Sequence, residues 1–253
     1  MRANKLHAMF AAKQTATSGW MSFSSTYAAE VLGHSGFDAV VIDLQHGPFY
    51  LDAAIPLMQA ISATPAVPLA RCSGNDFAEI NKLLDGGAYG IICPMIETVE
   101  DAKRFVSACR YPPQGTRSFG PTRGLLYGGA DYFQHANKEI LTWGMIETPQ
   151  AMQNLDAICA VEGLDGVLVG PSDLSLALGA PPLPNHTVEP LKGAIQRIYD
   201  AARKAGKYTA IFCVQPEFAV DMKKMGFDLV APGNDAGQLR ARASTLSDMI
   251  KKG

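Results

Sequence analysis

No stretch of this chain approaches the roughly 18 consecutive apolar residues of a membrane-spanning helix, and no membrane association is expected. No run reaches five like charges, which excludes a polybasic or acidic tail. Lys and Arg number 22 against 24 Asp and Glu, for a formal net charge of −2. That balance argues against a broad nucleic-acid footprint. The five cysteines (Cys72, Cys93, Cys109, Cys159 and Cys213) include no Cys-x-x-Cys pair and make an odd count. Free thiols in a reducing cytoplasm are the expectation. There is no Gly-x-Gly-x-x-Gly at a strand-to-helix junction and no P-loop, so the two common nucleotide-phosphate motifs are missing. The N-terminal apolar patch is broken by Lys13 and Gln14, too early for a secretory signal. Asn185-His186-Thr187 matches a glycosylation sequon and, without a secretion signal, reads as chance.

What remains is ordered and apolar. The 253 residues are 47% hydrophobic and 18% charged, which excludes disorder and supplies a sizeable core. Short β-branched runs alternate with helical patterns. The runs are Ser18–Ser22, Asp38–Asp43, Ala66–Arg71, Gly90–Pro94, Ile140–Glu147, Gly166–Gly170, Lys207–Cys213 and Phe227–Pro232. Most are continuously hydrophobic, as strands buried on both faces of a parallel sheet must be. Helical patterns include Tyr27–Leu32, Asp76–Leu84, Glu100–Cys109, Gln150–Cys159, Val188–Lys204, Glu217–Met225 and Asp235–Lys251, with apolar residues three and four apart. Eight βα units in one chain of this length predict a single (β/α)8 TIM barrel spanning residues 1–253. One stretch, about 110–138, breaks the rhythm with three prolines and five glycines. It reads as an excursion near the active-site mouth.

In such a barrel, chemistry collects at the C-terminal ends of the strands. Asp43 and His46 follow the second run, Arg71 ends the third, Glu147 the fifth, and Asp173 follows the sixth. Any one of these also fits a cap or a loop anchor. Asp173 would serve as a helix starter, and His46 as a loop histidine bonded to backbone. Together they form one charged rim. Glu147 and Asp173 come from neighbouring strands, about 4.8 Å apart, where two carboxylates repel unless a cation or proton lies between them. An all-oxygen pair suits a hard divalent ion such as Mg²⁺ or Mn²⁺. Gly170-Pro171-Ser172-Asp173-Leu174 turns from strand into helix start, where free N–H groups favour an anion. An ion beside such a cradle suits a 2-oxo acid. Arg71 is a permanent cation able to neutralise an enolate oxygen. His46 is the candidate general base, with Asp43 to orient it. Tyr127 and His135 in the excursion could also reach the mouth. No lysine lies at a strand's C-terminal end, and Lys207 begins its strand, so an imine mechanism lacks its amine.

Four motifs in register resemble the HpcH/HpaI family of class II, metal-dependent pyruvate aldolases, which includes 4-hydroxy-2-oxoheptanedioate and 2-dehydro-3-deoxyglucarate aldolases. They are Val40-Val41-Ile42-Asp43-Leu44-Gln45-His46-Gly47, Leu83-Leu84-Asp85-Gly86-Gly87-Ala88, Met145-Ile146-Glu147-Thr148 and Gly170-Pro171-Ser172-Asp173-Leu174. Arg117-Ser118-Phe119-Gly120-Pro121 matches as well, and the similarity runs from Trp20 to about Ala231. The resemblance implies reversible cleavage of 4-hydroxy-2-oxo acids to pyruvate and an aldehyde, through a pyruvate enolate stabilised by a divalent ion (Mg²⁺, Mn²⁺ or Co²⁺). It implies Glu147 and Asp173 as the ion's ligands, His46 paired with Asp43 as acid/base, and Arg71 as enolate stabiliser. It implies Gly170 and Ser172 as holders of the pyruvate carboxylate. It further implies a homohexamer that exchanges C-terminal helices and lends Asp85 to a neighbour's site. Gln45 and Met145 depart from it, standing where several members carry Glu and some carry Gln. The alternatives are a CoA-ester lyase of the malyl- or citramalyl-CoA type and a non-catalytic keto-acid-binding barrel.

Overall fold

The eight apolar runs form eight parallel strands: β1 (Ala16–Met21), β2 (Ala39–Asp43), β3 (Val67–Arg71), β4 (Gly90–Cys93), β5 (Leu141–Ile146), β6 (Gly166–Val169), β7 (Tyr208–Cys213) and β8 (Leu229–Pro232). Each pairs with the next, and β1 closes against β8, giving a barrel in sequence order. This is the (β/α)8 architecture. The computed structural model describes residues 1–182 and 187–252, so Asn185 and His186 of the sequon lie outside the described residues.

The helices are α1 (Lys5–Ala11), α2 (Thr26–His34), α3 (Leu51–Ser62), α4 (Phe77–Asp85), α5 (Val99–Cys109), α6 (Thr122–Gly128), α7 (Tyr132–Glu139), α8 (Pro149–Gln153), α9 (Leu155–Cys159), α10 (Pro171–Ala177), α11 (Leu191–Lys204), α12 (Pro216–Met225) and α13 (Asp235–Lys252). Side chains alternate across each strand. Trp20, Val41, Leu69, Trp143, Leu168 and Ala231 fill the barrel interior. Their neighbours Val40, Ile42, Ala70, Ile146, Val167 and Val230 pack under the helices. Both faces are buried, which is why the strands are continuously apolar.

The first residues are a plug rather than a tail. Asn4 caps α1 by accepting from the Leu6 N–H at 3.2 Å, and its own amide donates to the carbonyls of Tyr89 and Glu139 at 3.2 and 2.9 Å. Leu6 and Phe10 then enter the interior cluster. The Phe10 ring meets Trp143 edge-on at 6.0 Å and Tyr208 at 4.7 Å. With the base covered by α1, the opposite end, where the strands terminate, is the one left open to a ligand.

The stretch at 110–138 corrects the expectation that it lies near the mouth. It contains α6 and α7 and sits at the base. The Arg2 N–H donates to the Gly128 carbonyl at 2.6 Å, and the Tyr127 ring packs 5.1 Å from Tyr89, which precedes β4. Arg110 ties it down through the Ile140 carbonyl at 2.8 Å and the Asp165 carboxylate at 2.7 Å. The reason is topological: α5 runs from the mouth back to the base, so a connection leaving α5 begins there. Tyr127 therefore does not face the mouth, and neither does His135, whose Nε2 lies 3.4 Å from Asp131.

The last helix, α13, leaves the barrel wall. Only Asp235 at its start is buried, while Leu239, Leu246, Met249 and Ile250 are exposed. No helix among the described residues is long and apolar enough to cross a membrane.

Phe10→Ala should cost about 3–5 kcal/mol, as deletion of a buried ring usually does. Urea unfolding reads this directly. A loss below about 0.5 kcal/mol, within the range of neutral surface changes, would show that α1 does not seal the base.

Candidate active site

The side-chain alternation that fills the interior also carries Trp20, Asp43, Arg71 and Glu147 inward at the strand ends. Asp43 and Arg71 are register partners across β2 and β3. The Arg71 fork closes on Asp43 with Nε–Oδ1 at 2.8 Å and Nη2–Oδ2 at 2.6 Å. The Trp20 indole donates to Asp43 Oδ2 at 3.0 Å, and the guanidinium lies 5.0 Å over the indole ring. Burial alone would raise the Asp43 pKa. The Arg71 hydrogen bonds and charge, with the Trp20 indole, hold the carboxyl below its usual range. Asp43 is therefore an anion that fixes a cation.

The chain then turns sharply. The Gln45 and His46 N–H groups return to Asp43 Oδ1 at 3.1 and 3.2 Å, and the Gly47 N–H reaches the Asp43 carbonyl at 3.1 Å. A β-carbon on Gly47 would sit 2.3 Å from that carbonyl, so the turn requires glycine. The expected Asp43–His46 dyad takes a different form here. Asp43 holds the backbone of His46, not its ring, because both carboxylate oxygens are already engaged. The His46 ring is exposed at the rim, without a hydrogen bond among the described residues.

Across the mouth, Glu147 follows β5 and is buried. The Met95 N–H donates to Glu147 Oε1 at 3.0 Å. Oε2 faces Gly170, where a β-carbon would stand only 2.3 Å away. Burial pushes the Glu147 pKa up to about 7. The Met95 amide and Arg71 pull it back, and the Asp173 charge adds to the rise. Asp173 lies exposed in the first turn of α10 and takes no hydrogen bond or ion pair among the described residues. Gly170 caps that helix, and half-buried Ser172 sits beside Asp173, where the first N–H groups have no intrahelical partner. Met145 forms the floor, its sulfur 3.9 Å from Arg71 Nη1. Gln45 Oε1 is buried without a hydrogen-bond partner.

No cluster of three or more His, Cys, Asp or Glu side chains suited to a metal is found among the described residues. The Glu147–Asp173 pair fits a hard divalent cation in a different way. Glu147 Oε2 and the Asp173 carboxylate take no hydrogen bond among the described residues, and water or ligand oxygens would complete six-fold coordination.

Asp85 is not brought to this site. It ends α4 at the base and pairs with Arg117 at 2.9 Å. Burial raises its pKa, and Arg117 offsets only part of that. Arg117 is itself buried, 4.4 Å from the Tyr111 ring and 5.4 Å from the Tyr132 ring. Lys207 stands before β7 at the base and donates to the Val161 carbonyl, so it offers no amine to the mouth. All five cysteines are free and buried, and burial raises the thiols of Cys109 and Cys159 to about 12 and about 11. Two members of the site were not foreseen. Trp20 could have been found from the inward register of the first strand. Met95 acts through its backbone amide, which leaves no mark in a sequence. A cavity of about 540 Å³ adjoins the mouth from Phe212 to α13, and Phe212 contacts Trp20 at 5.2 Å.

The HpcH/HpaI aldolase/citrate lyase family profile matches residues 17–241. The chain belongs to that family. It is 40% identical over 240 residues to the hydroxypyruvate/pyruvate aldolase of Rhizorhabdus wittichii, covering 95% of this chain and 96% of that one. It is 38% identical over 251 residues to the 5-keto-4-deoxy-D-glucarate aldolase of Escherichia coli, covering 98% and 97%. A solved HpcH/HpaI-family structure from Burkholderia cenocepacia superposes with a TM-score of 0.89 at 28% identity, covering 98% and 99%. With aldolase relatives along nearly its whole length, this family member is a carbon–carbon lyase.

The Glu147 shift has a consequence for stability. Between its ordinary value of 4.5 and about 7, the folded chain keeps a proton that the unfolded chain has lost. The group's contribution is fully present below 4.5 and is lost as pH rises through about 7. In chelator, stability should therefore fall between about pH 5 and pH 8, and less so in Glu147→Gln. Urea melts across that range check this, and identical pH slopes for the two proteins would contradict it.

Proposed function

We propose that this chain is a class II pyruvate aldolase that reversibly cleaves 4-hydroxy-2-oxo acids to pyruvate and an aldehyde. The observation that carries the reading is the division of charge at the mouth. On one side stands a guanidinium fixed by Asp43, and on the other an under-satisfied carboxylate pair, Glu147 and Asp173.

A divalent cation (Mg²⁺, Mn²⁺ or Co²⁺) held by Glu147 and Asp173 would supply Lewis-acid polarisation of the 2-oxo group. The missing β-carbon of Gly170 makes room for Glu147 Oε2, and the backbone amides at Gly170 and Ser172 hold the substrate carboxylate. Arg71, whose Nη1 lies outside the fork on Asp43 and 3.9 Å from the Met145 sulfur, stabilises negative charge on the enolate oxygen as the C3–C4 bond breaks. His46, free to turn at the rim, takes the C4 hydroxyl proton, and the electrons of the broken bond pass into the enolate. Protonation at C3 then releases pyruvate. The two aldolase relatives support a 2-oxo-acid substrate by their names.

We further propose a homohexamer in which α13 packs on a neighbour. The exposed apolar residues of α13 support this, and in that assembly Asp85 would approach a neighbouring mouth. The free, buried thiols fit a cytoplasmic setting.

Retro-aldol cleavage of a panel of 4-hydroxy-2-oxo acids, with pyruvate detected, tests the activity. Chelator should abolish it, divalent ions should restore it, and borohydride with pyruvate should trap nothing. Activity that survives exhaustive chelation, or cleavage confined to malyl- or citramalyl-CoA, would overturn the reading. Arg71→Ala should lose about 10²–10³-fold in rate, and Arg71→Lys should not rescue it fully, because an ammonium cannot reproduce the planar fork. His46→Ala should lose roughly 10²–10⁴-fold while still binding pyruvate in calorimetry. Near wild-type turnover of His46→Ala would remove it as the base. A monomer in light scattering at micromolar concentration would remove both the exchange of α13 and the role of Asp85.

A further inference from the structure

Among the described residues, two that are not glycine adopt a left-handed backbone, Lys13 and Met95, each with φ of 56°. Lys13 follows the end of α1 at the base, where such a conformation commonly terminates a helix. Met95 has no helix to terminate. It follows β4 at the mouth, in the loop Pro94-Met95-Ile96, and its side chain is half exposed. A residue with a β-carbon occupies this region only when its surroundings impose it.

The hydrogen bonds show what is imposed. Two successive amides of the loop turn toward the same neighbour, β5. The Met95 N–H donates to Glu147 Oε1 at 3.0 Å, and the Ile96 N–H donates to the Met145 carbonyl at 3.3 Å. In an extended strand consecutive N–H groups point to opposite sides, so aiming both at β5 requires a reversal at residue 95. Ile96 is fully buried, and the Asn154 amide holds the Glu97 carbonyl at 2.8 Å, so the loop is anchored beyond the reversal. Glu147 has no other hydrogen bond among the described residues. Its second oxygen lies against Gly170, where even a β-carbon would not fit.

We propose that Met95 is a positioning residue, whose left-handed backbone aims its amide at Glu147 Oε1 and thereby keeps Oε2 turned toward the ion position. The inference rests on the reading of Glu147 and Asp173 as an ion site. It assigns the role to the conformation of residue 95 and not to its thioether.

A substitution series separates the two. Glycine adopts positive φ freely and asparagine readily, whereas a β-branched residue does so with difficulty. Mn²⁺ binding, read by electron paramagnetic resonance, should stay within about threefold of wild type in Met95→Gly and Met95→Asn. It should weaken about tenfold or more in Met95→Val, the scale expected when a partner that orients a ligand is lost. Equal affinity in Met95→Val and wild type, or equal losses in Met95→Gly and Met95→Val, would overturn the proposal. Wild-type protein that binds no Mn²⁺ would instead overturn the ion site itself.

Amide exchange supplies a second measurement that depends on neither the fold of Met95→Val nor a metal. In protein labelled with ¹⁵N at methionine and isoleucine, the Met95 amide should be protected. It should exchange at least about tenfold faster in Glu147→Ala, while the Ile96 amide is unchanged. An unprotected Met95 amide in wild type, or one indifferent to Glu147→Ala, would refute the anchoring.

Discussion

The buried ion pair between Asp43 and Arg71 is the constraint around which the mouth of this barrel is built. A charge taken out of water must be paired and hydrogen-bonded or it will not stay charged. Asp43 meets that requirement with five donors: two from Arg71, the Trp20 indole, and the amides of Gln45 and His46. The pair exists because β2 and β3 align residues 43 and 71 and their alternation turns both inward. A one-residue slip in either strand would send one partner into the helix layer. Such pairs add little net stability over apolar packing. This one gives a guanidinium with a single orientation, with Nη1 left outside the carboxylate fork.

The far side of the mouth has the opposite character. Among the described residues Glu147 accepts one hydrogen bond and Asp173 none, so these leave their charge only partly compensated. Burial pushes Glu147 up to about 7, which marks a carboxylate that needs a further cation to remain ionised near neutral pH. A satisfied cation facing under-satisfied anions is poorly suited to holding the fold together. It is well suited to a ligand that carries its own carboxylate and a polarisable oxygen. Closure of the base by α1 leaves this mouth as the route of approach.

Much of this was legible in the sequence, for physical reasons that differ by element. Strands buried on both faces must be continuous apolar runs, so all eight stood out, and their charged ends named Asp43, Arg71, Glu147 and Asp173. The helix α1 was not legible. Seven residues are too few to establish a period, and its role depends on Phe10 meeting Trp143 and Tyr208, which are distant in the chain. The side of the barrel on which residues 110–138 lie follows from the direction of α5, not from their prolines and glycines. Spacing along the chain points Asp43 to His46, which it holds through the backbone amide, whereas register across strands brings the Arg71 fork. Met95 contributes a backbone amide, which every residue but proline possesses.

On the proposed function, this mouth generates and holds a pyruvate enolate. Exchange of the pyruvate methyl hydrogens in D₂O, followed by proton NMR with no aldehyde present, tests that claim most directly. Exchange should require a divalent ion and be lost in Arg71→Ala. Absence of exchange in the ion-loaded wild-type protein, or the same exchange rate in chelator, would contradict it.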